Sequence, residues 1–199
     1  YRRQRQMCIR DRAAVAIAHE LKISETALKK ALRCFQGVNR RFTKTGVVNG
    51  VTIIDDYGHH PIEIKAVLKA ARQSLDGTEG KVIAVMQPHR YSRVAELMDE
   101  FCACFNQADT VYISDIYAAG EVPIAGAGKE DLVEGMVAYG HKDVHVLGVV
   151  SDLPRLISKK ACVGDMVIFL GAGDITAWAQ ELPAQLEVIW GKGSDSVAS

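Results

Sequence analysis

The chain has 199 residues, 48% of them hydrophobic, and its 24 Lys and Arg balance its 24 Asp and Glu to a formal net charge of zero. Zero net charge gives no global field to recruit nucleic acid or an acidic membrane, and no apolar run approaches the ~18 residues that span a bilayer. Five cysteines without a CxxC pair argue against a disulfide framework or a zinc knuckle. We therefore expect reduced thiols in a cytoplasmic protein with no nucleic-acid partner and no membrane partner.

The N-terminal part predicts a basic leader followed by two helices. Residues 1–12, YRRQRQMCIRDR, lack the apolar region of a signal peptide, and two interpretations remain open: a solvated basic arm or a segment foreign to the natural protein. Helical periodicity begins at Ala13, and Ser24 is predicted to cap a second helix that Gly37 ends. The apolar positions of these helices are Val15, Ala18, Leu21, Leu28, Leu32 and Phe35. Two helices alone cannot bury both apolar faces, so residues 13–38 are interpreted as the end of a preceding domain.

Residues 39–190 predict one α/β domain. Asn49-Gly50 between two β-branched runs predicts a hairpin, and strands then alternate with helices of ~10–15 residues. Further strands are predicted over 82–86, 110–114, 145–147 and 166–170, and helices over 61–75, 94–105, 129–139, 153–162 and from GAGDI to about 189. This alternation predicts a Rossmann-like fold: a mainly parallel sheet with one antiparallel edge strand and helices on both faces. The Gly- and Ser-rich tail, 191–199, is predicted to be disordered.

Polar loops follow the predicted strands and are expected to meet at one edge of the sheet. Their sequences are DDYGHH, QPHRYSR, DIYAAGE and GAGDI. In open α/β sheets the carboxyl ends of the strands are where ligands bind. Arg90 and Arg93, three residues apart, could grip a carboxylate or a phosphate through paired hydrogen bonds. The alternative is a solvated arginine pair at a helix start, although positive charge is slightly unfavourable there.

The DDYGHH loop allows several readings of its polar side chains. His59 and His60 are poor candidates for a metal site, because adjacent histidines rarely face one cation and no third ligand lies at the usual spacing. We expect instead that a histidine orients a substrate or caps the helix that Pro61 begins. Asp55 and Asp56 could bond a ribose or cap the turn, and the residues alone do not decide between the two.

The two remaining loops carry weaker signals. GAGDI matches part of a dinucleotide fingerprint but lacks its third glycine, so a tight strand-to-helix turn is the favoured interpretation. The loop DIYAAGEVPIAGAG contains Glu121, and its length favours a functional role over packing.

Read together and in order, DDYGHHP, QPHRYSR and DIYAAGE-PI-G resemble the C-terminal domain of the Mur ligase family, in its alanine-adding type. The resemblance runs from about Ala13 to Ile189 and implies that residues 13–38 end the central ATPase domain. It implies a ligase of peptidoglycan synthesis that joins L-alanine to UDP-N-acetylmuramic acid. ATP would phosphorylate the acid, the alanine amine would attack the acyl phosphate, and Mg²⁺ would offset phosphate charge.

The resemblance also assigns roles to individual residues. It implies that His59, Arg90 and Arg93 hold the alanine carboxylate with Tyr57 beside them. It further implies that Asp56 contacts the nucleotide ribose and that Arg41 lies near the nucleotide. No catalytic residue and no metal ligand of this chain is implied, since ATP and Mg²⁺ would be held mainly by the central domain.

The chain contains no GxxxxGK[ST] phosphate loop. We therefore expect that it has no ligase activity alone, and that L-alanine, ATP and UDP-N-acetylmuramic acid are partners of the full-length enzyme. Two rivals are a stand-alone Rossmann-like module that binds a nucleotide or a protein, and an NAD-dependent enzyme that uses GAGDI.

Overall fold

The computed structural model describes residues 12–34 and 39–194. The chain divides into two units, Tyr1–Asn39 and Arg40–Ser199, which are described separately. None of the helices in the described part of the chain combines the length and the apolar character needed to cross a membrane.

The first unit contains two helices. Residues 12–20 form α1, and Glu25–Cys34 form α2. The Ala27 N–H donates to the Ser24 hydroxyl at 3.3 Å, so the predicted cap is confirmed. Ala18 is buried, Leu28 is partly buried, and Val15, Leu21 and Leu32 are exposed.

Several expectations for this unit are not tested. Phe35, Gly37 and the first eleven residues of the basic leader lie outside the described residues. The assignment of 13–38 to a preceding domain therefore stays a prediction, as do both interpretations of 1–12.

Six strands form one sheet within the described part of the second unit. They are β1 (Thr43–Val48), β2 (Val51–Asp56), β3 (Val82–Met86), β4 (Thr110–Ile113), β5 (Val144–Val146) and β6 (Met166–Leu170). Their order is β1-β2-β6-β3-β4-β5, with β1 antiparallel to β2 and every other pair parallel. Asn49 and Gly50 turn the β1–β2 hairpin with φ of 47° and 76°, the left-handed conformation that a two-residue hairpin turn needs. The predicted sheet, with its antiparallel edge strand, is confirmed.

Helices cover both faces of the sheet, as predicted. They are α3 (Pro61–Ser74), α4 (Tyr91–Glu96), α5 (Met98–Cys102), α6 (Lys129–Ala138), α7 (Leu153–Lys160) and α8 (Ile175–Ser194). Successive residues of a strand point to opposite faces. Ile54 accordingly packs in the core that contains the buried side chains of α3 to α6, and Ile53 packs in the core that contains those of α7 and α8.

Two helix boundaries differ from the prediction. The helix predicted over 94–105 is two shorter helices, because the backbone leaves helical geometry at Leu97 (φ −122°, ψ 27°). Val94 and Phe101 are both buried, and their spacing is compatible with one continuous helix as well as with two. The apolar pattern therefore did not indicate the break at Leu97. Helix α8 runs to Ser194 and so enters the predicted disordered tail, whose residues 195–199 lie outside the described part. Apolar residues spaced by four, at 182, 186 and 190, pack in the core that α8 shares with α7 and carry this helix past its predicted end.

Candidate functional site

The loops after β2, β3 and β4 meet at the carboxyl edge of the sheet. The His59 and His89 ring centroids lie 5.8 Å apart, which joins the β2 loop to the β3 loop. On the outer sides of this pair, the Tyr57 centroid lies 5.1 Å from that of His59, and Tyr117 stacks on His89 at 5.3 Å. The four rings thus form a continuous row across three loops.

The GAGDI turn after β6 lies against the same row of rings. A side chain at Gly173 would overlap Gln87 and would come within 2.7 Å of the Tyr117 ring. Protein atoms therefore fill the space beside the turn. The structure agrees with the tight-turn interpretation, since a pyrophosphate would need that space free.

Two arginines that precede β1 reach the ring of Tyr57. The Arg40 guanidinium lies 4.8 Å from the Tyr57 centroid, and its Nη2 donates to the carbonyls of Gly171 at 2.8 Å and Gly173 at 3.3 Å. Arg41 lies 5.6 Å from the same centroid, and its Nη1 lies 4.0 Å from Glu63 Oε1. Arg40 thus fixes the turn after β6, while the partly exposed Arg41 guanidinium keeps donors for an anionic ligand.

Asp56 is engaged within the protein. One carboxylate oxygen accepts the Phe42 N–H at 2.7 Å, the other accepts the Gly58 N–H at 2.7 Å, and the residue is 4% exposed. Burial raises the pKa of Asp56, against the effect of these two hydrogen bonds. As placed, the carboxylate is not free for a ribose hydroxyl. The predicted nucleotide contact stays a prediction, and the geometry gives Asp56 a structural role at the start of β1.

Asp55 is internal as well. The residue is 2% exposed, and the Thr176 hydroxyl donates to its Oδ1 at 3.3 Å. Burial raises the pKa of Asp55, while the Arg40 charge and the Thr176 bond oppose that rise. Asp56 thus bonds the turn residue Gly58, whereas Asp55 bonds helix α8 through Thr176, and the ribose alternative stays a prediction.

The two adjacent histidines have different tasks. His60 is the N-cap of α3, and its Nδ1 accepts the Ile62 N–H at 3.3 Å. His59 instead places Nδ1 2.9 Å from the Tyr57 carbonyl oxygen. A proton on Nδ1 satisfies that carbonyl and leaves Nε2 as an acceptor. One histidine caps the helix, as one alternative predicted, and the other is a member of the row of rings.

Arg90 ends the β3 loop as the N-cap of α4, and Arg93 lies in the first turn of that helix. The Arg93 Nη1 donates to the His89 carbonyl at 3.2 Å, and the half-exposed Arg90 places Nη1 3.5 Å from Glu121 Oε1. Both guanidiniums keep further N–H donors beyond these contacts. They can therefore bind an added carboxylate.

His89 lies at the centre of this arrangement. Burial lowers its pKa, the positive charges of Arg93, His59 and Arg90 lower it further, and Glu121 opposes the change. Its buried Nδ1 has no hydrogen-bond partner among the described residues. His89 was not among the site residues predicted from the sequence. The feature that could have indicated it is its position in QPHRYSR, after a strand end and directly before Arg90.

The arrangement suits an organic anion better than a metal ion. The guanidiniums of Arg41, Arg90 and Arg93 lie on the loops and helix start that carry the row of rings, and guanidiniums recognise carboxylates through two parallel hydrogen bonds. In the part of the chain that the structure describes, no group of three or more His, Cys, Asp and Glu side chains could hold a metal ion.

Comparison with known proteins gives a consistent result. The family described as Mur ligase, glutamate ligase domain, matches residues 40–173. A UDP-N-acetylmuramate–L-alanine ligase of Phenylobacterium zucineum is 56% identical over 181 residues, which are 91% of this chain and 37% of the relative. One of Cereibacter sphaeroides is 59% identical over 174 residues, 87% of this chain and 36% of the relative. The chain thus spans little more than a third of the length of these curated relatives.

Among solved structures, a UDP-N-acetylmuramate–alanine ligase from Thermotoga maritima is similar to this chain with a TM-score of 0.72. The match covers 92% of this chain and 38% of that structure at 22% identity. At this identity the likeness supports the fold.

Proposed function

Because the chain belongs to the Mur ligase family through the domain matched at residues 40–173, we propose that it provides the amino-acid site of a cytoplasmic, ATP-dependent ligase. The reaction joins L-alanine to UDP-N-acetylmuramic acid in peptidoglycan synthesis. One observation carries the proposal: relatives at 56% and 59% identity over about nine-tenths of this chain are named as ligases for these two substrates.

Arg90 and Arg93 bind the alanine carboxylate in this proposal, with His59 and Tyr57 beside them. Their convergence at one sheet edge supports it, because a small zwitterion needs several groups within a few ångströms. His89, which we add to this set, stays neutral near pH 7 and can accept or donate one hydrogen bond without adding charge. Bound alanine then presents its amine away from the guanidiniums, which repel an ammonium group.

The nucleotide side of the proposal depends on Arg41. Its guanidinium is partly exposed and keeps free donors, so it fits a contact with an anionic nucleotide. Asp56 supports Arg41 indirectly, because its bond to the Phe42 N–H fixes the backbone next to Arg41. Bound ATP would supply the phosphoryl group that activates the acid, and Mg²⁺ would offset the charge on the phosphates.

The rival functions find less support in the packing. An NAD-dependent enzyme would need open space beside GAGDI, where Gln87 and Tyr117 lie within contact distance of Gly173. A stand-alone binding module would not require Arg90 and Arg93 to serve amino-acid use. The arginines therefore discriminate between the ligase and the binding module.

The test replaces Arg90 by Ala in the intact ligase that carries this domain. Loss of a charge-assisted hydrogen bond costs about 1.5–3 kcal/mol, so the KM for L-alanine should rise by about tenfold or more. The KM for ATP should change by less than about twofold, since Arg90 is not on the nucleotide side. Arg155→Ala, which removes an exposed arginine of α7, is the matched control. Equal effects of the two substitutions on alanine use would refute the proposed role.

A further inference from the structure

The loop that follows β4 is hydrogen-bonded to the β3 loop and to the start of α4. At the first, the Tyr117 N–H donates to the Pro88 carbonyl at 2.8 Å and the Arg90 N–H donates to the Tyr117 carbonyl at 2.9 Å. At the second, Glu121 accepts the Ser92 N–H at 3.0 Å and the Ser92 hydroxyl at 2.7 Å. The segment that carries Arg90 is therefore held from both ends by residues of a different loop.

Arg90 needs such support, because its own backbone is unusual. Its φ of 73° is in the left-handed region, which is costly for a residue with a side chain, and it precedes α4 without a side-chain cap. The Glu121 carboxylate supplies the missing cap through the Ser92 N–H. The two Ser92 bonds hold the pKa of Glu121 below its ordinary value, so the carboxylate is charged near neutral pH.

Glu121 is closer to Ser92 than to Arg90. Glu121 lies 2.7 Å from the Ser92 hydroxyl but 3.5 Å from the Arg90 Nη1, so Ser92 anchors it and Arg90 is only attracted to it. A guanidinium has five N–H donors, and this contact involves one edge of it. A carboxylate ligand can therefore approach the remaining donors while Glu121 stays in place.

We propose that Glu121 is a positioning residue of the alanine site, which orients the Arg90 guanidinium. The inference rests on the proposed function, since it assigns Arg90 to the alanine carboxylate. Glu121 itself touches no substrate. Its charge keeps one edge of the guanidinium fixed, and that pre-organisation lowers the cost of binding a small ligand.

The test measures binding of L-alanine to this chain by NMR titration, together with the Nε–Hε signal of Arg90. Glu121→Gln keeps an acceptor for the Ser92 N–H but removes the charge. Because exposed ion pairs are screened by solvent, we expect its Kd to rise by about fivefold and the Arg90 signal to move to that of a free arginine. Glu121→Asp keeps the charge and should stay within about twofold of the unchanged chain. Glu79→Gln, at an exposed loop residue, is the matched control.

The outcomes distinguish failure of the proposed Glu121 role from failure of the proposed function. If the unchanged chain binds L-alanine and Glu121→Gln binds it equally well with the same Arg90 signal, Glu121 has no positioning role and the inference is refuted. Equal losses in the Gln and Asp variants would also refute it, because they would indicate a purely structural role. If the unchanged chain does not respond to L-alanine at all, the proposed function itself fails.

Discussion

Replacement of Gly173 by Ala should destabilise the protein and loosen the site at the same time. The added methyl group would overlap the Gln87 Oε1 and would lie 2.7 Å and 2.8 Å from two atoms of the Tyr117 ring. Tyr117 is 40% exposed, whereas Gln87 is only 5% exposed and its side-chain amide is held by two hydrogen bonds. The Gln87 side chain must then give up its contacts.

The magnitude follows from those contacts. Gln87 Nε2 donates to Asp174 at 2.6 Å, and its Oε1 accepts the Ile175 N–H at 3.3 Å. Each bond contributes about 1 kcal/mol, and overpacking of a filled site costs about 1–3 kcal/mol. The lower backbone entropy of Ala in the unfolded chain offsets about 0.4–1 kcal/mol. The net loss in the free energy of unfolding should therefore be about 2–4 kcal/mol.

Urea unfolding followed by circular dichroism measures this loss. Gly148→Ala is the matched control, because a methyl group there would meet nothing within 4 Å. The control should change the free energy of unfolding by less than about 0.5 kcal/mol. A Gly173→Ala protein as stable as the control would show that a methyl group at position 173 does not displace Gln87, and this would refute the prediction.

Two further predictions concern the pH dependence of stability and the partly exposed hydrogen-bond network of Asp143. Because the pKa of His89 is lowered from 6.5 in the folded protein, the unfolded chain binds more protons below that pH, so stability should fall as pH drops through 6.5. Unfolding at about pH 7.5 and about pH 5.5 should show a smaller fall for His89→Gln than for the unchanged chain. Asp143 accepts bonds from Thr110 at 2.6 Å, Lys160 at 2.7 Å and His145 at 2.7 Å. Asp143→Asn should cost about 1–3 kcal/mol of unfolding free energy at neutral pH, and an unchanged melting temperature would contradict this.

The strands and their polar loops were predictable because they depend on local patterns. The Asn49-Gly50 turn, the apolar runs and the helix that begins at Pro61 are all short-range signals. The sheet order was not predictable in the same way. The run Met166–Leu170 is apolar throughout and indicates a central strand, but only tertiary packing decides that it lies between β2 and β3.

Only part of the site was predictable from the sequence. His59 and Arg90 were expected at one edge, and parallel strands bring their loops together there. The internal bonds of Asp56 could not be foreseen, because Phe42, one of its two partners, lies fourteen residues away across the hairpin. The contact of Glu121 with Ser92 spans twenty-nine residues, so no local pattern reports it.

The central claim is that side chains from separate loops together hold the carboxylate of an amino acid. NMR titration of the His59 and His89 ring signals, with L-alanine and with L-alaninamide, tests it most directly. L-alaninamide keeps the amine and the methyl group but lacks the charged carboxylate. We predict that both histidines shift together with L-alanine and respond much less to the amide. Equal shifts with the two compounds, or a response of only one histidine, would contradict the account.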